Sequence, residues 1–453
     1  MEAGHHSDVC SRFIYQRRFR RQEEEIIVRK SFRGMILLSC LALVWMTAAC
    51  GGQSDGQEAG DNKQVEIFSW WTGAGEEAGL NALIKLFEEK NSNIQVKNAA
   101  VAGGAGTNAK ATLATRMQGD DPPDTFQVHG GSELNDSWVA AGKMEPLNDL
   151  YKEQGWMDKF PKELIDMVSK DGKIYSVPVN IHRGNVLWYN AKIFDENGIE
   201  PPASFDDFFK AAEKLKKKGI TPLALGDKEP WGATHLLETV LLGKLGPEDY
   251  GKLWTGKLSF EDPKVKEALK TYKKMLTYTN KDHAARNWQD AAQMVAKGEA
   301  AMHVMGDWAK GYFTTDLKLK PGKDFGWTAT PGTEGSFMVI TDTFGLPKGA
   351  KNPKATQEWL RVLGSAEGQD VFNPLKGSIP ARVDADVNKY DEYGKETIEQ
   401  FRDAKLTPSL AHGSAAPEGF VTEADQAVNT FVTQGNVDRL AQTLKEKLEQ
   451  AIQ

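Results

Sequence analysis

From residue 64 onward the chain alternates short apolar runs with amphipathic stretches. Val65-Glu66-Ile67-Phe68 reads as a strand. Residues 76–90 carry Leu80, Leu83, Ile84 and Phe87 at a spacing of three to four, which predicts a helix. Ile94-Gln95-Val96 is a second strand, residues 108–117 a second helix, and Asp124-Thr125-Phe126-Gln127-Val128 a third strand. A βαβαβ run of this kind predicts a parallel sheet covered by helices on both faces. Ligands on such sheets sit beyond the carboxyl ends of the strands.

Residues 173–189 turn strand-like again, around Ile174-Tyr175-Ser176-Val177-Pro178-Val179. Ser204-Phe205-Asp206-Asp207 then opens a helix as a capping-box variant with Asp at the third position. That helix runs through Phe208, Ala212 and Leu215 to Gly219, a suitable terminator. More helices follow to about 298. Ala301-Met302-His303-Val304-Met305 and residues 336–340 read as strands, and 354–363 and 437–451 as late helices. Strand signals on both sides of a helix-rich middle predict two α/β lobes, with the chain crossing between them more than once. The expected crossings lie near 174–180, 328–341 and 375–380. They give a first lobe of 64–175 plus about 328–375, and a second of 176–327 plus about 376–453. No period of 20–50 residues suggests a repeat architecture.

A chain of 453 residues has room for two such lobes and a leader. The net charge of −7 argues against a nucleic-acid binder, which needs a basic face. Twelve tryptophans point instead to a ligand with a flat apolar face on which indoles stack. The three cysteines, Cys10, Cys40 and Cys50, all precede residue 51, so no disulfide framework is expected. The basic residues Arg29, Lys30 and Arg33 precede an uncharged, mostly apolar stretch at 35–49. It has the length of a signal-peptide core and falls short of the roughly 20 residues of a spanning helix. It closes on Thr47-Ala48-Ala49-Cys50-Gly51-Gly52. Small residues before a cysteine resemble a bacterial lipobox, with Thr47 where Leu is usual, which implies lipid attachment at Cys50. The polar run Gln22-Glu23-Glu24-Glu25 does not suit a signal n-region and places the expected start nearer Val28. Residues 51–63 have the composition of a flexible tether. An extracytoplasmic protein, lipid-anchored on the outer face of the membrane or periplasmic, is the expectation.

Six segments then resemble one family in the right order. They are Ile67-Phe68-Ser69-Trp70-Trp71 with Gly73, Gly75 and Glu76; Asp121-Pro122-Pro123-Asp124 with Gln127 and His129; Gly306-Asp307-Trp308; Phe344-Gly345-Leu346-Pro347-Lys348-Gly349; Leu375-Lys376-Gly377-Ser378-Ile379-Pro380; and Ala411-His412-Gly413. Together they resemble extracellular solute-binding proteins of sugar ABC importers, with the nearest likeness to bacterial glucose/galactose-binding proteins. The resemblance implies an α/β fold of two lobes joined by a hinge, with a sugar bound in the interlobe cleft and the lobes closing over it. It also implies ABC permease subunits as partners, a monomer, and no enzymatic activity or cofactor. Its ligand would be a monosaccharide: glucose, or else galactose or mannose. An oligosaccharide receptor is the alternative.

Candidate ligand groups follow from position and chemistry. Trp70 and Trp71 end the first strand, and neighbours on a strand face opposite ways. Trp71 is assigned to the sugar, as the resemblance also implies, and Trp70 is the second candidate. Glu76 opens the next helix, where a carboxylate meets favourable backbone dipoles. Gln127 and His129 alternate onto one face at the end of the third strand, and both donate and accept hydrogen bonds. Asn180, His182 and Arg183 form a polar cluster at a crossing, serving either the ligand or the hinge, and His182 is carried as a ligand candidate. Trp288 begins a helix, and the resemblance places a second stacking indole there; Trp231 and Trp254 are weaker choices. Asp342 sits at the end of an apolar strand, Lys376 is placed in a loop before Gly377, and His412 lies between Ala411 and Gly413. Asp307 beside Trp308 is read as structural.

Gly104-Ala105-Gly106-Thr107-Asn108-Ala109 fits the dinucleotide fingerprint GxGxxA. It belongs to the second βα unit, and the acid at the expected distance, Asp124, falls in a turn. A tight turn on the cleft rim is the preferred reading. No GxxxxGK[ST] phosphate loop is present, and the histidines lack metal-site spacing. A secreted glycoside hydrolase would also combine tryptophans with carboxylates, with Glu76 and Asp342 as the pair, but a monosaccharide offers no bond to cleave between them.

Overall fold

Three parallel strands begin the fold in the computed structural model, which describes residues 63–452. Gln64–Phe68 pairs with Gln95–Asn98 on one side and Thr125–His129 on the other. The helices Ala74–Lys90 and Thr107–Gln118 connect them, so the predicted βαβαβ run is present. Asp342–Gly345 and Ser176–Pro178 complete this five-stranded sheet in antiparallel sense. A second, four-stranded sheet has the order Phe325–Ala329, Val186–Asn190, Ala300–Val304, Thr221–Ala224. The leader, Cys50 and residues 51–62 of the tether lie outside the described residues.

Each large sheet has its own hydrophobic cluster. Val65, Ile67, Phe126 and Val177 belong to the first. Leu187, Leu223 and Met302 belong to the second, with Val240 and Leu444 from helices. Burial of these apolar side chains is the main favourable term in folding. Helix ends follow the sequence signals. Ser204 Oγ accepts from the Asp207 N–H over 3.2 Å at the start of Phe205–Lys217. Asn287 and Asp290 form a reciprocal capping box at Trp288–Lys297.

A small third sheet joins Lys405–Pro408, Ser336–Ile340 and His182–Arg183. Strand alternation divides Ser336–Ile340 between the cores: Phe337 and Val339 enter the first cluster and Met338 the second. Two expected crossings, near 174–180 and 328–341, thus adjoin this sheet. Past the third, Ile379, Ala381 and Ile398 pack in the first cluster, Tyr393 packs with Trp188 and Phe325 of the second sheet, and Leu410 belongs to the second cluster.

Two local expectations are also corrected. Lys376 is the last residue of the helix Ala366–Lys376, not a loop residue, and Gly377 ends that helix at φ 95°. A side chain at Gly377 would press its Cβ to 2.5 Å from the Gly311 nitrogen, so only glycine suits the position. Asp342 does not end the strand before it. The chain changes sheet at Thr341, and Asp342 opens a strand of the five-stranded sheet.

Candidate functional site

A cavity of about 690 Å³ opens where residues of both clusters meet. Trp70, Glu76, His129 and Asp342 contribute from the elements of the first sheet. Trp231, Trp288, Trp308 and His412 contribute from the other side, and Lys376 and His182 also line it.

The strand register sets the chemistry at its floor. Asp342 lies opposite His129 in the antiparallel pair, with Gln127 two residues along. Gln127 Nε2 donates to Asp342 Oδ1 over 2.7 Å, and Asn180 Nδ2 donates to Oδ2 over 2.7 Å. His129 Nε2 and His182 Nε2 stand 3.7 and 3.5 Å from the same carboxylate. Burial alone would raise the Asp342 carboxyl, but the His182 hydrogen bond and the charges of Lys376 and His129 outweigh it. They hold Asp342 far below the usual carboxylate range. It is therefore a fixed anion and a hydrogen-bond acceptor.

Flanking pairs fix the neighbours. Lys376 Nζ donates to Glu76 Oε1 at 2.7 Å. His129 Nδ1 meets Glu133 Oε2 at 2.8 Å, and Lys110 reaches that same oxygen at 2.8 Å. Burial opposes ionisation of Glu133, yet Lys110 and His129 bring its pKa to about 2. Asp307 is fully buried, bonds His182 Nδ1, and accepts from the Arg183 N–H, which agrees with a structural role. Burial opposes the charge on His182, but Asp307 raises its pKa above the ordinary value. His412 behaves oppositely. Burial, with His235 and His129 nearby, pushes it well below its ordinary value, so its imidazole is neutral.

Indoles surround these groups. Trp308 and His412 have ring centres 4.9 Å apart, and Trp231 and His412 5.4 Å. Trp70 sits 5.1 Å from His129. The glycine turn at Gly104–Gly106 forms part of the rim. Gly106 at φ 107° lets the backbone pass beside Trp70; a Cβ there would lie 3.4 Å from the indole.

The sequence profile of the bacterial extracellular solute-binding protein family matches residues 71–370. The chain belongs to this family. An uncharacterized ABC transporter extracellular-binding protein of Pyrococcus horikoshii is 40% identical over 422 residues, covering 91% of this chain and 95% of the relative. A probable sugar-binding periplasmic protein of Mesorhizobium japonicum is 35% identical, covering 83% and 90%. The solved structure of the bacterial solute receptor AcbH, described with an exclusive preference for β-D-galactopyranose, superposes with a TM-score of 0.77. That match has 22% identity and covers 86% of this chain and 98% of that one, which fixes the fold.

Against this solute-binding protein's cavity, two expected ligand residues move. Trp71 does not line it. It is 1% exposed and packs on Phe344 and Phe372, with ring centres at 5.4 and 4.8 Å, while Trp70 takes the cavity side. The strand ends at Phe68 and the chain bends at Trp70, so strand alternation does not set which of the two indoles turns inward. Gln127 is buried behind Asp342 and holds it, so its amide acts one step from the ligand space. Trp254 packs in the second cluster, away from the cavity. Lys110, Glu418 and Asp425 line the cavity but were not anticipated. They lie on polar helix faces that a sequence reading assigns to solvent. Trp308, which stacks near His412, was passed over with its neighbour Asp307.

Proposed function

We propose that this solute-binding protein is an extracytoplasmic receptor for a small sugar, which it delivers to an ABC import permease. The carrying observation is the pairing of indole walls with a fixed donor and acceptor set at one cavity floor. Trp70, Trp231, Trp288 and Trp308 offer apolar faces suited to pyranose C–H surfaces. The Asp342 carboxylate accepts hydroxyl protons. The His129 and His412 imidazoles can donate or accept, and Lys376 donates. Such a set rejects analogues that leave a buried group unpaired. The names of the relatives support the sugar class.

The recognised unit is one hexose ring at the floor, with glucose or galactose as first candidates. The cavity volume also favours a second reading, a short oligosaccharide whose further rings run toward Lys110, Glu418 and Asp425. The two lobes close over the ligand, the strands 182–183, 336–340 and 405–408 acting as the hinge. Cys50 anchors the chain to lipid. Glu76 is engaged by Lys376 and Asp342 by Gln127 and Asn180, an arrangement for holding, and no turnover of oligosaccharides is expected.

Intrinsic tryptophan fluorescence tests this reading. Saturable changes with glucose or galactose support the monosaccharide form, and changes with di- or trisaccharides alone move the reading to oligosaccharides. A flat response to all sugars, or released reducing ends, overturns the receptor.

A further inference from the structure

Behind the cavity wall, Glu238 and His235 stand one turn apart on the helix Trp231–Trp254, and both are fully buried. Glu238 Oε1 accepts from Ser409 Oγ over 2.8 Å. Its Oε2 accepts from the Leu410 and Ala411 N–H groups and lies 3.4 Å from the Tyr250 hydroxyl. Those donors are neutral. Among the described residues no lysine or arginine pairs with Glu238, and a buried carboxylate without a cation is costly.

His235 is the second anomaly. Its ring is inaccessible, and neither nitrogen has a hydrogen-bond partner among the described residues. Yet Nδ1 lies 3.2 Å from Glu238 Oε1, and His412 Nδ1 lies 4.0 Å from that same oxygen. The two imidazoles meet edge to face at 5.3 Å. One ligand atom from each of the three residues falls within 4.8 Å of the others. A tetrahedral zinc with bonds of about 2.0–2.2 Å spaces its ligand atoms by roughly 3.3–3.6 Å. An orphaned buried imidazole of this kind calls for an ion or water.

We propose that His235, Glu238 and His412 bind one divalent transition-metal ion, zinc by its donor set, in the wall of the ligand cavity. Two imidazoles and a carboxylate form a three-ligand zinc set with a fourth position open. The ion compensates Glu238, gives His235 a partner, and takes the place of Ser409 Oγ, now 3.0 Å from His412 Nδ1. Because His412 also lines the cavity, the metal fixes the orientation of a ring that faces the ligand.

The test uses the full chain stripped with EDTA and titrated with zinc chloride by calorimetry, with cobalt(II) as a spectroscopic probe. One equivalent of zinc, with a tetrahedral cobalt absorption band, is expected. Both are lost or weakened at least tenfold in Glu238→Gln and in His412→Asn. Circular dichroism checks folding; His412 sits on a partly exposed loop, so His412→Asn decides if Glu238→Gln does not fold. Absence of saturable zinc binding, or binding unchanged in His412→Asn, overturns the proposal. The readout needs no sugar and stands apart from the receptor reading.

Discussion

Asn180 and Asp342 hold each other reciprocally: Asn180 Nδ2 donates to Asp342 Oδ2 over 2.7 Å, and the Asp342 N–H donates to Asn180 Oδ1 over 2.8 Å. The pair ties the segment before one crossing to the strand after another. The carboxylate that faces the cavity is thus placed by the backbone route between the two cores.

Asp342→Asn removes the charge while keeping the shape. Hydrogen bonds to charged groups contribute about 1.5–3 kcal/mol. Sugar affinity should therefore fall by roughly 10- to 150-fold. Calorimetric titration checks this, with circular dichroism to confirm the fold. An unchanged affinity would remove Asp342 from the ligand set.

The two adjacent tryptophans should separate cleanly. Trp70→Ala weakens sugar binding and leaves stability nearly intact. Trp71→Ala removes a buried ring and costs about 3–5 kcal/mol of stability. Denaturant unfolding and sugar titration of both variants provide the comparison; the opposite pattern would return Trp71 to the ligand.

Asp425 gives a pH signature. Burial raises its carboxyl to about 7, from an ordinary value of 3.8. Between these values the folded form retains a proton that the unfolded chain has lost. The contribution of Asp425 to stability therefore declines as pH rises from about 4 to 7, then levels off. Asp425→Asn lacks that decline, so its melting temperature relative to wild type should rise over the same window. Thermal melts at pH 4, 6 and 8 check the trend, and a parallel pair of curves would contradict it.

The proposed anchor is tested in a bacterial host. Wild type should sediment with membranes and incorporate labelled palmitate. Cys50→Ala should do neither and appear in the soluble extracytoplasmic fraction.

Much of the fold was legible because its elements are locally encoded. The 3–4 spacing of Leu80, Leu83 and Phe87 placed one helix, and Ser204 with Asp207 marked the start of another. Val437–Ala451 matches the helix expected at 437–451. The site was legible where a polar residue ends a strand, as with His129. What failed depends on distant packing. Lys376 reads as a loop residue until the close approach of Gly311 to Gly377 shows why the helix ends one residue later. Lys110 and Asp425 look like solvated helix positions because nothing local reveals the element facing them. Trp71 lies beyond the strand, after the bend at Trp70, so no local pattern tells which of the two indoles turns inward.

The central claim is a sugar held between indole walls over the Asp342 carboxylate. Its most direct measurement is a calorimetric titration of the purified protein with a panel of monosaccharides, disaccharides and trisaccharides beside non-sugar solutes. The account predicts saturable one-to-one binding of at least one sugar, with a hexose such as glucose or galactose first. Heat of binding confined to the non-sugar solutes would contradict it.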